Sequence, residues 1–210
     1  MNKNGNALFL ILIAVALFAA LSYAVTQTGR GGGNIDKEET TLLAQELIDF
    51  TNTLNATVNR MILSGAATAD TIVFETSSGS GNPCTTGTTC VFAPEGGNVN
   101  FYDIPYPVFQ NKWFFPVAGD GFVIQDVGSN SLDEVAASIL QLPKDLCAEI
   151  NRQLGLPAPD DLAFNGNFSY NNIYGSGVVM DSIAGETVGC FRDEAAYPQD
   201  FGFYHVFVAR

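Results

Sequence analysis

The first part of the chain is almost entirely apolar. Residues 7–25, ALFLILIAVALFAALSYAV, contain no charged residue and no proline. A helix of this length would reach about 28 Å at about 1.5 Å per residue, close to the thickness of a bilayer's hydrocarbon core. The pattern predicts a transmembrane helix over residues 6–25, after a short polar segment. Lys3 before the helix predicts that the chain beyond it is exported.

The same segment is compatible with two other fates. The small residues around Ser22-Tyr23-Ala24 could form a signal-peptidase site, and cleavage after Ala24 would release a soluble protein. An uncleaved segment without further processing would act as a plain signal anchor. The start of the mature protein distinguishes these routes.

The polar and apolar positions beyond the apolar run predict a linker and then a long helix. Residues 26–34, TQTGRGGGN, are rich in glycine and are predicted to break any helix that enters them. Residues 36–63 show helical periodicity, because apolar residues recur at spacings of three and four at Leu43, Leu47, Phe50, Leu54, Val58 and Met61. This stripe predicts an amphipathic helix that packs on a later sheet.

The remaining pattern predicts one α+β head domain over residues 35–210. Short strand patterns separated by Gly, Asn, Ser and Pro occur at 71–75, 89–92, 99–102, 112–117, 121–126, 177–181, 186–192 and 201–208. Ser131 and Glu134 form a capping box that predicts a helix to about residue 141. A second helix is predicted from Pro143 to Gly155. The strands are predicted to form an antiparallel sheet, with Trp113 in its core.

Charge and cysteine content place the head outside the cytoplasm. The net charge is −13 with only nine Lys plus Arg, so the surface repels phosphate backbones and nucleic-acid binding is excluded. The four cysteines, Cys84, Cys90, Cys147 and Cys190, are an even number without zinc-ligand spacing, which favours disulfides. Three pairings are possible. The short loop between Cys84 and Cys90 favours the pairs 84–90 and 147–190.

The order of leader, glycine and apolar helix resembles the prepilin-type N-terminus of type IV pilins and pseudopilins. In that family a peptidase cuts after the glycine, which implies a leader over residues 1–5 and processing between Gly5 and Asn6. Family members usually have an aromatic residue at the position of Asn6 and a glutamate at the position of Leu10. The departure is similar to that of some minor, tip-like subunits.

The segment 142–151 with Cys147, followed by Cys190, resembles the disulfide-enclosed region of class IVb pilins. The resemblance implies a surface that meets partners, with candidate residues Phe164, Phe168, Tyr170 and Tyr174. It implies a structural subunit of a pilus-like filament or secretion pseudopilus, held in the inner membrane before assembly. The subunit would associate with itself or other pilin-like subunits through the N-terminal helix. The alternative is an extracytoplasmic binding module that recognises a ligand through the Asn-rich and aromatic loop 157–175.

The chain shows no pattern typical of an enzyme. His205 is its only histidine and lies in a predicted strand, on the face opposite Tyr204 and Val206. Ser176 lacks a nucleophile-elbow context, and Asp160-Asp161 lies in a Pro-bounded loop typical of a solvated turn. No cofactor is predicted. Calcium is the only one suggested, through oxygen ligands that match no EF-hand spacing: Asp126, Asn130 and Asp133.

Overall fold

The computed structural model describes most of the chain in several ranges. These are residues 9, 11–18, 32–76, 82–103, 113–116, 122–129, 134–164, 178–180, 183, 185–193 and 200–210. The chain divides into two compact units, Met1–Thr40 and Thr41–Arg210. The elements of the second unit form an α+β fold.

The prediction of a transmembrane helix over residues 6–25 is wrong. Residues 9 and 11–18 are helical, and the rest of residues 6–25 lies outside the described ranges. Helix α1, Gly32–Leu63, is longer but carries charged residues along its length. Within the described ranges, no helix is both long and apolar enough to cross a membrane.

The predicted long amphipathic helix is confirmed as α1. It begins at Gly32 rather than near residue 36, so the last three residues of the predicted linker are helical, while residues 26–31 lie outside the described ranges. Glycine therefore does not prevent the helix from starting there. All six positions of the apolar stripe are buried: Leu43, Leu47, Phe50, Leu54, Val58 and Met61.

The described strands form one four-stranded sheet and one two-stranded sheet. In chain order they are β1 Phe122–Ile124, β2 Val135–Leu142, β3 Ala163–Phe164, β4 Val178–Met180, β5 Val188–Asp193 and β6 Asp200–Val208. The larger sheet has the order β2-β6-β5-β3, and β6 pairs antiparallel with both β2 and β5. The prediction of a purely antiparallel sheet is wrong at two places, because β3 runs parallel to β5 and β1 runs parallel to β4.

The helix predicted over residues 131–141 is also wrong, because this part of the chain contains β2. Ala136, Ala137 and Ser138 are all fully buried, so both faces of the strand are covered. A strand covered on both faces is a continuous run of small and apolar residues, which periodicity alone does not distinguish from a helix. Glu134 precedes the strand, and residues 131–133 lie outside the described ranges.

Four predicted strands are confirmed with shifted ends: 121–126, 177–181, 186–192 and 201–208 correspond to β1, β4, β5 and β6. Other predicted strands are reduced to isolated bridges, which join Val73 to Cys90, Glu75 to Pro83 and Phe114 to Ser138. Residues 99–102 form no strand. The Phe114 bridge places residues 113–116 beside β2, on the side opposite β6.

The two faces of the larger sheet contribute to separate apolar clusters. One face presents Ala137, Cys190, Phe203 and Phe207 to a cluster that includes the buried residues of α1 and of helix α2, Lys144–Leu154. Alternate residues point to the other face, where Ala136, Phe191, Tyr204 and Val206 cluster with Ile124 and Ile183. The sheet is therefore covered on both sides.

Aromatic side chains fill much of the space under α1. The Phe50 ring lies 5.1 Å from the Trp113 ring and 5.7 Å from the Tyr102 ring, measured between centroids. Trp113 is buried, as predicted, and its Nε1–H donates to the Tyr102 carbonyl at 2.9 Å. Tyr102 in turn donates its hydroxyl proton to Glu46 of α1 at 2.5 Å. This set of contacts joins α1 to Tyr102 and Trp113.

Candidate functional site at the junction of α2 and β5

Helix α2 is short and has well-defined ends. Pro143 stands at its N-cap, and Gly155 follows its last residue with a left-handed backbone at φ 74°. The Gly155 N–H donates to the Arg152 carbonyl at 3.3 Å, a common way for a helix to end. The predicted end at Gly155 is confirmed.

A disulfide joins α2 to β5. Cys147 and Cys190 are both fully buried, and their Cα atoms are 5.5 Å apart. The second disulfide joins Cys84 and Cys90, with Cα atoms 6.0 Å apart. Both favoured pairings are confirmed. Two disulfides indicate an oxidising, extracytoplasmic compartment.

Asn151 provides a second, polar connection between the same helix and strand. Its side chain is fully buried, and its Oδ1 accepts the Cys190 N–H at 2.7 Å. Its Nδ2 donates to the Cys190 carbonyl at 2.9 Å and to the Pro157 carbonyl at 2.8 Å. The carboxamide therefore bonds to the strand as a neighbouring peptide group would, since it offers one acceptor and two donors.

Gly189 of β5 packs close to Leu156, beside Asn151. A Cβ atom on Gly189 would lie 2.8 Å from the Leu156 Cδ1 and 3.6 Å from the Tyr204 hydroxyl. The Tyr204 hydroxyl donates to the Glu186 carbonyl at 3.2 Å. Burial, with a smaller contribution from the Glu186 charge, raises the pKa of Tyr204, so this phenol stays protonated.

The exposed side of α2 carries a local network of polar groups. Arg152 donates to both carboxylate oxygens of Glu149, at 2.7 and 2.6 Å, and this contact holds the pKa of Glu149 well below its usual range. Gln153 donates to Glu149 at 3.1 Å and to the Thr41 carbonyl at 3.0 Å. The second bond connects α2 to α1.

The predicted partner-binding loop is described only at its beginning. Phe164 ends β3 and pairs with Asp193, whereas Phe168, Tyr170 and Tyr174 lie outside the described residues. The aspartates of this loop belong to a short 3-10 helix, Pro159–Asp161.

Asp160 is more than part of a solvated turn. It lies 2.5 Å from the Lys144 Nζ at the start of α2 and 3.7 Å from the Arg192 Nη1 of β5. These ion pairs link the start of the loop to both α2 and β5.

His205 lies on the face of β6 opposite Tyr204 and Val206, as predicted. Its paired neighbours on the flanking strands, Ala137 and Val188, are apolar, and its ring centroid lies 5.4 Å from that of Phe207, with the two ring planes tilted by 53°. Burial lowers the pKa of His205 to about 4. The imidazole is therefore neutral at pH 7.

The structure describes only one of the three suggested calcium ligands. Asp126 lies in a turn with φ 64°, while Asn130 and Asp133 fall outside the described ranges, as do the proposed processing residues Gly5 and Asn6. Among the described residues, no group of three His, Cys, Asp or Glu side chains is placed to hold a metal ion.

Sequence reasoning missed Asn151, although a signal was present. Cys147, Ile150, Asn151 and Leu154 share one face of α2, so a carboxamide stands in an otherwise apolar stripe. A polar residue in such a position needs buried partners, which predicts a specific hydrogen-bonded contact.

Comparison of the chain with protein-family models, with curated proteins and with solved structures finds no match.

Proposed function

We propose that the chain is an exported structural subunit, without catalytic activity, that associates with copies of itself or related subunits into a pilus-like filament. Three features support the proposal: a disulfide-closed α+β head, a long helix on a sheet, and the link from Cys147 of α2 to Cys190 of β5. The last two are what the resemblance to class IVb pilins implies.

The observation that carries the proposal is the exposed apolar surface of the helical residues 9 and 11–18. The large apolar side chains there are between 41% and 75% exposed: Phe9, Ile11, Leu12, Ile13, Val15, Leu17 and Phe18. Residues 11–18 cover more than two helical turns, so these side chains project on all sides. A helix that is apolar all round is normally buried when the protein functions.

The energy available from burying this surface is comparable with the cost of association. Full burial of one such side chain contributes about 1.5–3 kcal/mol, so the remaining exposed surface is worth roughly 1–2 kcal/mol per side chain. The seven side chains together approach about 10 kcal/mol, similar to the ~4–15 kcal/mol that association costs in lost freedom of motion. A single neighbour covers only one side of a helix. An assembly of several subunits around these residues is therefore favoured over a dimer.

The acidic heads oppose close association. With a net charge of −13, neighbouring heads repel each other, so the apolar helices are expected inside the assembly and the heads outside.

Substitution of the apolar helical residues tests the proposal. The full-length chain, produced in an oxidising compartment, is compared with the double variant Leu12→Asp, Leu17→Asp by sedimentation velocity and negative-stain electron microscopy. We expect filaments or large regular oligomers for the unaltered chain and monomers for the variant. Leu63→Asp is the matched control, because Leu63 is 88% exposed but lies at the end of α1. It should assemble normally.

Two outcomes contradict the proposal. The unaltered chain could remain monomeric at every concentration tested, or the double variant could assemble as well as the unaltered chain. Trp113 fluorescence, compared between the variants, verifies that the head remains folded, since this is the only tryptophan and it is buried.

A further inference from the structure

The Cys84–Cys90 disulfide closes a small loop of sequence Thr-Thr-Gly-Thr-Thr on the surface of the head. Thr85, Thr86 and Thr88 are exposed, whereas both cysteines are buried and pack with Ala93 and Phe92. The loop thus has an apolar base and a surface made of hydroxyl groups.

Several contacts besides the disulfide hold this loop in one position. The Glu95 carboxylate accepts the Gly87 N–H at 2.7 Å, at the middle of the loop. The Cys84 N–H donates to the Phe74 carbonyl at 2.9 Å, which fixes the start of the loop. A Cβ atom on Gly96 would lie 2.9 Å from the Gly87 carbonyl oxygen, so the chain passes directly beneath the loop there. The threonine side chains therefore project from a loop whose backbone is held in one position.

The hydroxyls of these threonines differ from those of other threonines in the chain. Thr53 donates to the Asp49 carbonyl at 2.9 Å, and Thr68 and Thr71 bond to each other at 3.0 Å. Within the described ranges, the hydroxyls of Thr85, Thr86 and Thr88 form no hydrogen bond to another residue. They remain open to solvent and to an incoming reagent.

The side chains of the loop restrict the kinds of ligand or covalent modification that it can accept. Residues 82–89, NPCTTGTT, contain no charged and no aromatic side chain, so the loop offers neither an ionic contact nor an apolar anchor. Its reactive groups are hydroxyl nucleophiles. Segments rich in Ser and Thr with Pro are typical of O-glycosylated surfaces.

We propose that Thr85, Thr86 and Thr88 are acceptor sites for O-linked sugars. In the transfer, a threonine Oγ attacks the anomeric carbon of a sugar activated as a lipid-linked or nucleotide-linked phosphate. The new Oγ–C bond forms as the anomeric C–O bond to phosphate breaks, the phosphate leaves, and the hydroxyl proton passes to the base of the transferase. This inference does not depend on filament assembly.

Peptide mass mapping tests the sites directly. Trypsin cleavage after Arg60 and Lys112 gives a peptide, residues 61–112, that contains the whole loop. In protein isolated from the cells that produce it naturally, we expect this peptide to be heavier than its polypeptide mass by whole sugar units. Electron-transfer fragmentation should locate the added mass on the loop threonines, and alkaline β-elimination should remove it.

Variants returned to the same cells provide the control. The triple variant Thr85→Val, Thr86→Val, Thr88→Val should lose the added mass, and Thr71→Val should keep it, since Thr71 lies in the same peptide but its hydroxyl is already bonded. A peptide at its unmodified mass in the natural protein overturns the inference. Sugar located only on other residues, such as Ser77, Ser78 or Ser80, overturns it as well.

Discussion

Replacing Asn151 with alanine should be among the most damaging single changes to the head. The substitution removes the one side chain that satisfies three backbone groups: the buried N–H and carbonyl of Cys190, and the carbonyl of Pro157, which is an exposed residue. Asn151 itself is fully buried, so solvent water cannot simply take its place without opening the junction.

The size of the effect follows from those three groups. A buried donor or acceptor left without its partner costs about 1–3 kcal/mol. The Cys190 carbonyl has a second lone pair, so the lower half of that range applies to it, and water can reach the carbonyl of the exposed Pro157. The sum is about 3 kcal/mol, a large part of the ~5–15 kcal/mol that a typical domain has in total.

Asn151→Asp has nearly the same shape and should depend on pH. The ionised carboxylate of this variant would face two carbonyl oxygens in a buried site, which raises the pKa of the new carboxyl above the ~4 of an exposed aspartate. The folded state would then bind more protons than the unfolded state between these two values. Stability of this variant should therefore rise, relative to Asn151→Ala, as pH is lowered from 7 towards 4.

Denaturation by guanidinium chloride, followed through Trp113 fluorescence with both disulfides intact, measures these differences. Asn52→Ala, an exposed position on α1, is the control and should change the free energy of unfolding by less than about 0.5 kcal/mol. A loss below about 1 kcal/mol for Asn151→Ala would refute the reasoning. So would an Asn151→Asp variant whose stability follows that of Asn151→Ala at every pH.

Two further changes test other parts of the head. Burial lowers the pKa of His205 from 6.5 to about 4, so the unfolded state takes up a proton in this window that the folded state does not. The unaltered chain should lose about 3 kcal/mol of stability between pH 7 and pH 4 that His205→Leu does not lose, and parallel pH profiles would contradict this. Gly128 has φ 64°, and a Cβ atom there would lie 2.5 Å from the Arg210 backbone nitrogen. Gly128→Ala should therefore lower the free energy of unfolding by more than about 2 kcal/mol, whereas Gly185→Ala, at φ 79° in open space, should cost only about 1 kcal/mol. Equal losses in the two alanine variants would show that the contact with Arg210 is unimportant.

The sequence predicts correctly those features of the head that depend on residues close together in the chain. The α1 stripe and the Gly155 end of α2 are encoded by neighbouring residues, and both are confirmed. The β2 strand was taken for a helix because burial on both faces removes the period-two pattern, and that burial comes from residues distant in sequence. The transmembrane helix is predicted from hydropathy and run length alone, and within the described ranges no helix is both long and apolar enough to cross a membrane.

The junction of α2 and β5 needed information that no local pattern contains. In β5, the Cys190 N–H and carbonyl bond to Asn151, and two residues later the Arg192 N–H donates to the Leu162 carbonyl at 3.1 Å. This edge of the sheet is therefore covered partly by a side chain and partly by β3.

A helix has no free peptide groups along its side with which to pair a strand edge, so a carboxamide is the side chain that best replaces a missing strand. Unpaired strand edges promote association between chains. Asn151 thus protects an exported, acidic protein from pairing through β5, while the Cys147–Cys190 disulfide keeps the helix close enough for the amide to reach. Loss of Asn151 should consequently expose an edge as well as lower stability. A substitution that only leaves a cavity in the core would lower stability without exposing a strand edge.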